Sequence, residues 1–389
     1  MYFYEFVGFI AACMALNALS IDIMLPALPD LTADFALQDP NQSQAVIAVY
    51  LVGMGLSQLF YGPLSDRFGR RPVLIGGLTL FSLAGLLSAF TQGFSMLLLA
   101  RFVQGVGAGA PRVVAFSLAR DSYSGPQLGR VLSLAVMLFM AAPILAPSLG
   151  QLILLVAPWR WVFGALVLGG GILLVWALLR LEETLPVERR RSISPRAVLE
   201  SFRITITTRA AVGYTLALGL VMGSQMGFVI SAQRIFMDIF DTGGSFTLLF
   251  ALVALAMSVA AFTNSRLVLR FGMRHLVVVG LGALILLNTA HLALVWLDTE
   301  SLTVFMLMQS GSMFIFGFLG ANLNTLAIEP LGHVAGTGSS AIGFFTTVCG
   351  ALLGFGIGQR FDGSVVPLTL AYVVLGLTAL TMVVLAERR

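Results

Sequence analysis

Twelve stretches of mostly apolar residues follow one another along this 389-residue chain. Each is about 20 residues long, enough to cross the hydrocarbon core of a bilayer as a helix. No other feature restricts the fold as strongly. Charged residues make up 10% and hydrophobic residues 58% of the chain, and the mean hydropathy is +0.96. A soluble domain carries roughly 25% charged residues. The chain is therefore expected to be an all-α integral membrane protein with twelve transmembrane helices.

The expected helices run from about Phe6 to Pro29, Ser43 to Leu64, Val73 to Thr91, Met96 to Leu118, Leu128 to Val156 and Trp159 to Arg180. After a polar stretch they resume from about Ala211 to Phe236, Phe246 to Leu269, Leu276 to Leu297, Leu302 to Leu323, Ala335 to Gly358 and Val366 to Ala386. This divides the chain into a six-helix bundle at 1–180, a linker at 181–209 and a second bundle at 210–389. In the linker, Ser194 before Pro195 reads as an N-cap with proline at the first helical position. A short surface helix is expected there, from Pro195 to about Arg203. The first five residues, Met1 to Glu5, carry no basic group, so the first apolar segment reads as a retained span rather than a cleaved leader.

All 22 basic residues are arginines. With both termini placed in the cytoplasm, the arginines crowd into the cytoplasmic loops: Arg67, Arg70 and Arg71, then Arg120 and Arg130, then seven from Arg180 to Arg209, and Arg266, Arg270 and Arg274. Only Arg160, Arg234 and Arg360 fall outside. This bias predicts the orientation. The positive charge follows topology, so nucleic acid is not an expected partner. Without lysine the chain has neither Schiff-base chemistry nor a phosphate-binding G-x-x-x-x-G-K-S/T loop. Cys13 and Cys349 lie far apart in apolar stretches, and three histidines without a Cys/His cluster give no metal-site signal. No Ser/His/Asp set is visible, so an enzyme is not expected.

Gly62-Pro63-Leu64-Ser65-Asp66-Arg67-Phe68-Gly69-Arg70-Arg71-Pro72 reads as a tight, charged loop at the cytoplasmic surface. The pattern resembles the loop between helices 2 and 3 of the major facilitator superfamily of transporters. Ser265 to His275 echoes it: Arg270, Phe271, Gly272 and Arg274 match Arg67, Phe68, Gly69 and Arg71 at a constant offset. That echo marks two parallel six-helix repeats, with a substrate site expected between them near the midplane. Leu269 stands where the first copy has Asp66. The expected cytoplasmic gate is Gly62, Asp66, Arg67, Gly69, Arg70, Arg71 and Arg120.

An ionisable side chain at the bilayer centre costs at least ~2.5 kcal/mol. Asp22 in helix 1 and Arg101 in helix 4 are placed at similar depth and are expected to meet. Arg112 follows Arg101 by eleven residues, which returns it to nearly the same helix face, with Gln104 between them. Three further stripes share helix faces: Tyr50, Met54 and Gln58; Gln225 and Phe228; Phe314, Phe318 and Asn322. Core packing and a substrate cavity use the same residue types, and both readings stand. His291 in helix 9 reads as packed or lipid-facing rather than as a proton relay.

D-I-M-L-P-A-L-P after Ile21, R-F-V-Q-G from Arg101, A-R-D at Ala119–Asp121, P-I-L-A-P-S-L-G at Pro143–Gly150 and A-G-T-G-S-S-A-I-G-F at Ala335–Phe344 resemble the Bcr/CflA-type transporters of the twelve-helix drug:proton antiporter family. The resemblance implies two pseudo-symmetric six-helix bundles in a bacterial-type inner membrane, working as a monomer. It implies export of small, drug-like compounds by alternating access, driven by the proton gradient with no other cofactor. It assigns the proton-responsive acid to Asp22 and its partner to Arg101, and the antiporter helix motif to Pro143, Pro147 and Gly150. A metabolite or amino-acid exporter on the same fold, and a non-transporting receptor or scaffold, are the alternative readings.

Overall fold

The computed structural model describes residues 1–190 and 203–387. The chain forms two compact units, Met1–Val198 and Leu199–Arg389. No strand occurs among the described residues. Twelve helices among them are long and apolar enough to cross a membrane. Spans 1 to 6 are Phe3–Asp34, Pro40–Phe68, Arg70–Phe90, Phe94–Ser122, Gly125–Val156 and Arg160–Arg180. Spans 7 to 12 are Arg209–Ile239, Gly243–Phe271, Met273–Trp296, Leu302–Gly332, Gly338–Gly358 and Val366–Glu387. Residues 203–207 are helical. The rest of the expected surface helix from Pro195 lies outside the described residues.

Two expectations need correction. Span 1 is not one helix ending near Pro29. Its α-helix stops at Asp22, a 3-10 turn covers Leu25–Ala27, and a short α-helix, Leu28–Asp34, follows. Pro26 explains the stop. It has no N–H to donate to the Asp22 carbonyl, and its ring would clash with that oxygen. Nor is Gly62 to Pro72 a loop. Span 2 stays helical through Pro63 to Phe68, and span 3 starts at Arg70. The whole turn is made by Gly69, at φ 101° and ψ 159°. Side chains rarely adopt that conformation, so the joint requires glycine. Gly272 makes the same joint between spans 8 and 9, at φ 77° and ψ 155°. The sequence echo between the halves is thus an echo of backbone geometry.

In the first unit, spans 2 and 4 meet backbone to backbone. A Cβ at Gly53 would run into the Phe102 carbonyl, and one at Gly105 into the Tyr50 carbonyl. Dispersion contacts and polar pairs hold such an interface, because lipid offers no hydrophobic drive between helices. In the second unit, Phe228, Phe236, Phe246, Phe250 and Phe305 form a buried aromatic cluster. Buried polar pairs join neighbouring spans: Asn322 to Asn264 at 2.8 Å, Asn288 to Ser312 at 3.0 Å and Gln309 to Tyr372 at 3.0 Å.

Candidate functional site

The break in span 1 organises a buried polar cluster in the first unit. A helix end leaves its last four carbonyls without intrahelical donors. One of these, Ser20 O, receives Arg101 Nη2 at 2.8 Å. Arg101 also donates through Nε to Val46 O at 3.1 Å and through Nη1 to Gln104 Oε1 at 2.7 Å. Its guanidinium lies 4.4 Å from the Tyr50 ring centroid and 5.7 Å from that of Phe163. The Tyr50 hydroxyl donates to Asn17 Oδ1 at 3.4 Å. Arg101 is 0% exposed, so in this dry site each bond is stronger than it would be in water. A cation at the negative end of a helix is also favourably placed.

Asp22 sits at that same helix end and is buried. It has no hydrogen-bond or ion-pair partner among the described residues. The expected Asp22–Arg101 pair is therefore corrected: the guanidinium spends its donors on Ser20, Val46 and Gln104. A buried carboxylate is costly unless a proton or a cation meets it, and here no cation among the described residues does. Behind the break, span 5 presses closely. A Cβ at Gly150 would collide with the Ile23 carbonyl, and Pro26 Cγ lies 2.9 Å from the same point. Gly150 and Pro147 are buried, and Pro143 is half-buried.

Arg112 does not share the surroundings of Arg101. Although the two sit on nearly one face and both feel Tyr50 electrostatically, Arg112 is exposed and makes no hydrogen bond or ion pair among the described residues. Met54 and Gln58 are buried, and the Met54 carbonyl accepts from Gln58 Nε2 at 3.5 Å. Gln104 Nε2 is buried without a partner among the described residues.

At the Gly69 joint, Arg70 is the hub. It is 8% exposed and donates to Asp66 at 2.6 Å, Asp121 at 2.8 Å and Ser65 at 2.7 Å. Glu183, just past span 6, accepts from the backbone N–H groups of Arg70 at 2.9 Å and Arg71 at 3.2 Å. A carboxylate on the first N–H groups of a helix is the favourable arrangement there. Arg71 Nη2 donates to Leu178 O at 2.8 Å. Arg67 and Arg120 are exposed, and Gly62 is half-buried. Asp66 is thus engaged within its own half, by Arg70.

In the second unit the cavity candidates separate. Phe228 is 2% exposed and stacks on Phe250 with centroids 5.7 Å apart, so it is core and not a cavity wall. Asn322 is occupied by Asn264 and by the Phe318 carbonyl. Phe318 is buried against Phe314, while Phe314 and Gln225 stay half-buried. Gln225 Nε2 contacts Met257 Sδ at 3.1 Å. His291 is buried rather than lipid-facing.

Sequence reasoning missed Asn17, Ser20 and Glu183, and left Asp121 out of the gate. Asp121 had a signal, the A-R-D motif, and Glu183 stands in an acidic pair after span 6. Asn17 and Ser20 lie five and two residues before Asp22.

The Major Facilitator Superfamily profile matches residues 10–355. The MFS-type transporter YdgK of Bacillus subtilis (strain 168) is 30% identical over 349 residues, covering 87% of this chain and 84% of YdgK. Multidrug resistance protein MdtL of Escherichia coli O9:H4 (strain HS) is 31% identical over 344 residues, covering 88% and 85%. Among solved structures, a D-xylose-proton symporter superposes with a TM-score of 0.78 at 14% identity, over 100% of this chain and 98% of that one. The human organic anion transporter MFSD10 superposes with a TM-score of 0.72 at 18% identity over 100% of both chains. At those identities the two structures speak to the fold alone. These relatives are transporters rather than enzymes, and with the twelve spans they place the chain: it is a secondary transporter belonging to the Major Facilitator Superfamily.

Proposed function

We propose that this transporter exports small, mostly hydrophobic compounds in exchange for protons, by alternating access, in a bacterial-type inner membrane with both termini in the cytoplasm. The observation that carries the proposal is Asp22: buried, at a helix end, and without a partner among the described residues. A proton is the smallest ligand that relieves such a group. Taking up or losing it changes the charge at the one place where span 1 is already broken. Arg101 acts as the positioning residue that holds the break, through the Ser20 and Val46 carbonyls. The multidrug resistance name of MdtL supports drug-like compounds as the substrate class. The proton gradient is the energy source, no cofactor takes part, and the monomer is the working unit.

Substrate-induced proton release from purified protein tests the reading, with wild type compared against Asp22→Asn. Release from wild type alone is expected. Equal release from both would place the coupling acid elsewhere. Glu5 is a poor substitute, since Arg180 already holds both of its oxygens at 2.8 and 2.9 Å.

A further inference from the structure

We propose that His291 and Glu300 form a second proton-binding site, at the end of the second unit opposite Arg266, Arg270 and Arg274. His291 lies five residues before the end of span 9. The chain then reverses through Asp298, at φ 56°, and returns with Glu300 just ahead of span 10. His291 Nε2 and Glu300 Oε1 are 3.1 Å apart, with the side chains 1% and 14% exposed. The other carboxylate oxygen, Glu300 Oε2, is buried without a partner among the described residues. The pair is therefore set apart from water and short of donors.

Neighbouring charges do not account for it. Span 9 packs on spans 10 and 12 and touches span 8. The charged residues within those three spans are Arg266, Arg270, Glu329 and Glu387, all at the far end. On span 9 itself, Arg274 and His275 are also at the far end. At the near end the connecting turn adds Asp298, and the turns leading into spans 8 and 12 add Asp241, Arg360 and Asp362, all of them exposed. Tyr372 of span 12 is bonded to Gln309. Span 7 ends nearby in the aromatic cluster, and its Arg234 and Asp238 pair with each other.

The site is linked to packing. The His291 ring lies 6.2 Å from Phe305 in the first turn of span 10. Phe305 contacts Phe236 at 5.5 Å and Phe240 at 5.3 Å. Phe236 lies at the end of span 7, where the helix widens into a π turn at Ile235–Ile239, and Phe240 directly follows it. With one proton added, the neutral imidazole–carboxylate contact becomes an imidazolium–carboxylate pair. The added Coulomb attraction between the two charges is only weakly screened in a site set apart from water. The start of span 10, and Phe305 with it, is then held more firmly to span 9.

Hydrogen–deuterium exchange of the peptide covering residues 297–305 tests this on the full-length protein in detergent. It is measured at about pH 5.5 and pH 8, across the range in which imidazoles titrate, and corrected for the intrinsic exchange rate. Wild type should be about fivefold better protected at the lower pH, as expected when an existing hydrogen bond gains the attraction of a full ion pair. His291→Gln and Glu300→Gln should each abolish that difference, and Asp298→Asn should keep it. A wild-type protein with no pH response overturns the proposal, as does a response that survives in Glu300→Gln. If His291→Gln does not fold, the comparison of wild type with Glu300→Gln decides alone. The readout needs no transported substrate, so it stands apart from the role proposed for Asp22.

Discussion

Arg101 donates to the Ser20 carbonyl at 2.8 Å and leaves Asp22, two residues further on, without a partner among the described residues. Two buried residues of opposite charge in one unit therefore do separate jobs. The arginine is bonded to the end of the broken helix, and in the proposed function the acid is the group left free to take a proton. A structural ion pair would have made both residues parts of the scaffold.

This separation predicts a near-zero coupling energy. In a double-mutant cycle of Asp22→Asn and Arg101→Lys, followed by reversible unfolding in mixed micelles, the interaction term should stay below about 0.5 kcal/mol. Arg101→Lys alone should cost about 1–3 kcal/mol, because lysine lacks the planar fork and leaves a buried carbonyl unsatisfied. A coupling energy well above 1 kcal/mol would restore a direct pair.

Gly150 should resist any enlargement. A Cβ there meets the Ile23 carbonyl, and backbone moves less readily than a flexible side chain. Gly150→Leu should cost about 1–3 kcal/mol by overpacking and suppress transport, since the break in span 1 is displaced. Gly129, on the same span, has open space around it, so Gly129→Ala should be close to neutral. Thermal unfolding and vesicle transport of the two variants check the contrast.

At the Gly69 joint the two aspartates should differ. Asp121 is 21% exposed and Asp66 47% exposed at the side chain, and both bind Arg70. Removing the less solvated partner strands more of the buried cation. Asp121→Asn should therefore lower the melting temperature more than Asp66→Asn. Glu183→Ala should cost about 0.5–2 kcal/mol through loss of the helix cap. A larger loss for Asp66→Asn would contradict the ranking.

The two phenylalanine candidates of the second unit should separate by readout. Phe228→Ala opens a cavity beside Phe250 and should cost about 3–5 kcal/mol, visible as lost folded protein in size-exclusion chromatography. Phe314→Ala removes a half-buried ring. It should keep the fold and instead alter which compounds are transported. Equal stability of the two variants would return Phe228 to the list of cavity residues.

Much of this protein was determined by the sequence alone. Span length, the repeat joining Gly69 to Gly272 and the strategic place of Asp22 follow from local rules: bilayer thickness, glycine's freedom at positive φ, and the cost of burying charge. Pro26 even carried the stop at Asp22, because its missing N–H and its ring act within four residues. Tertiary structure alone decided the partners. A guanidinium on span 4 had acceptors within reach on spans 1 and 2. Its choice of the Ser20 and Val46 carbonyls depends on how three helices are rotated and how closely Gly53 and Gly105 let two of them approach. Arg101 and Arg112 share a face, yet one is covered and the other exposed, because helical periodicity sets direction and not what lies in that direction. Glu183 reaches the Arg70 amide across 113 residues of chain. Such contacts depend on the sum of many packing interactions, and no local pattern in the sequence records that sum.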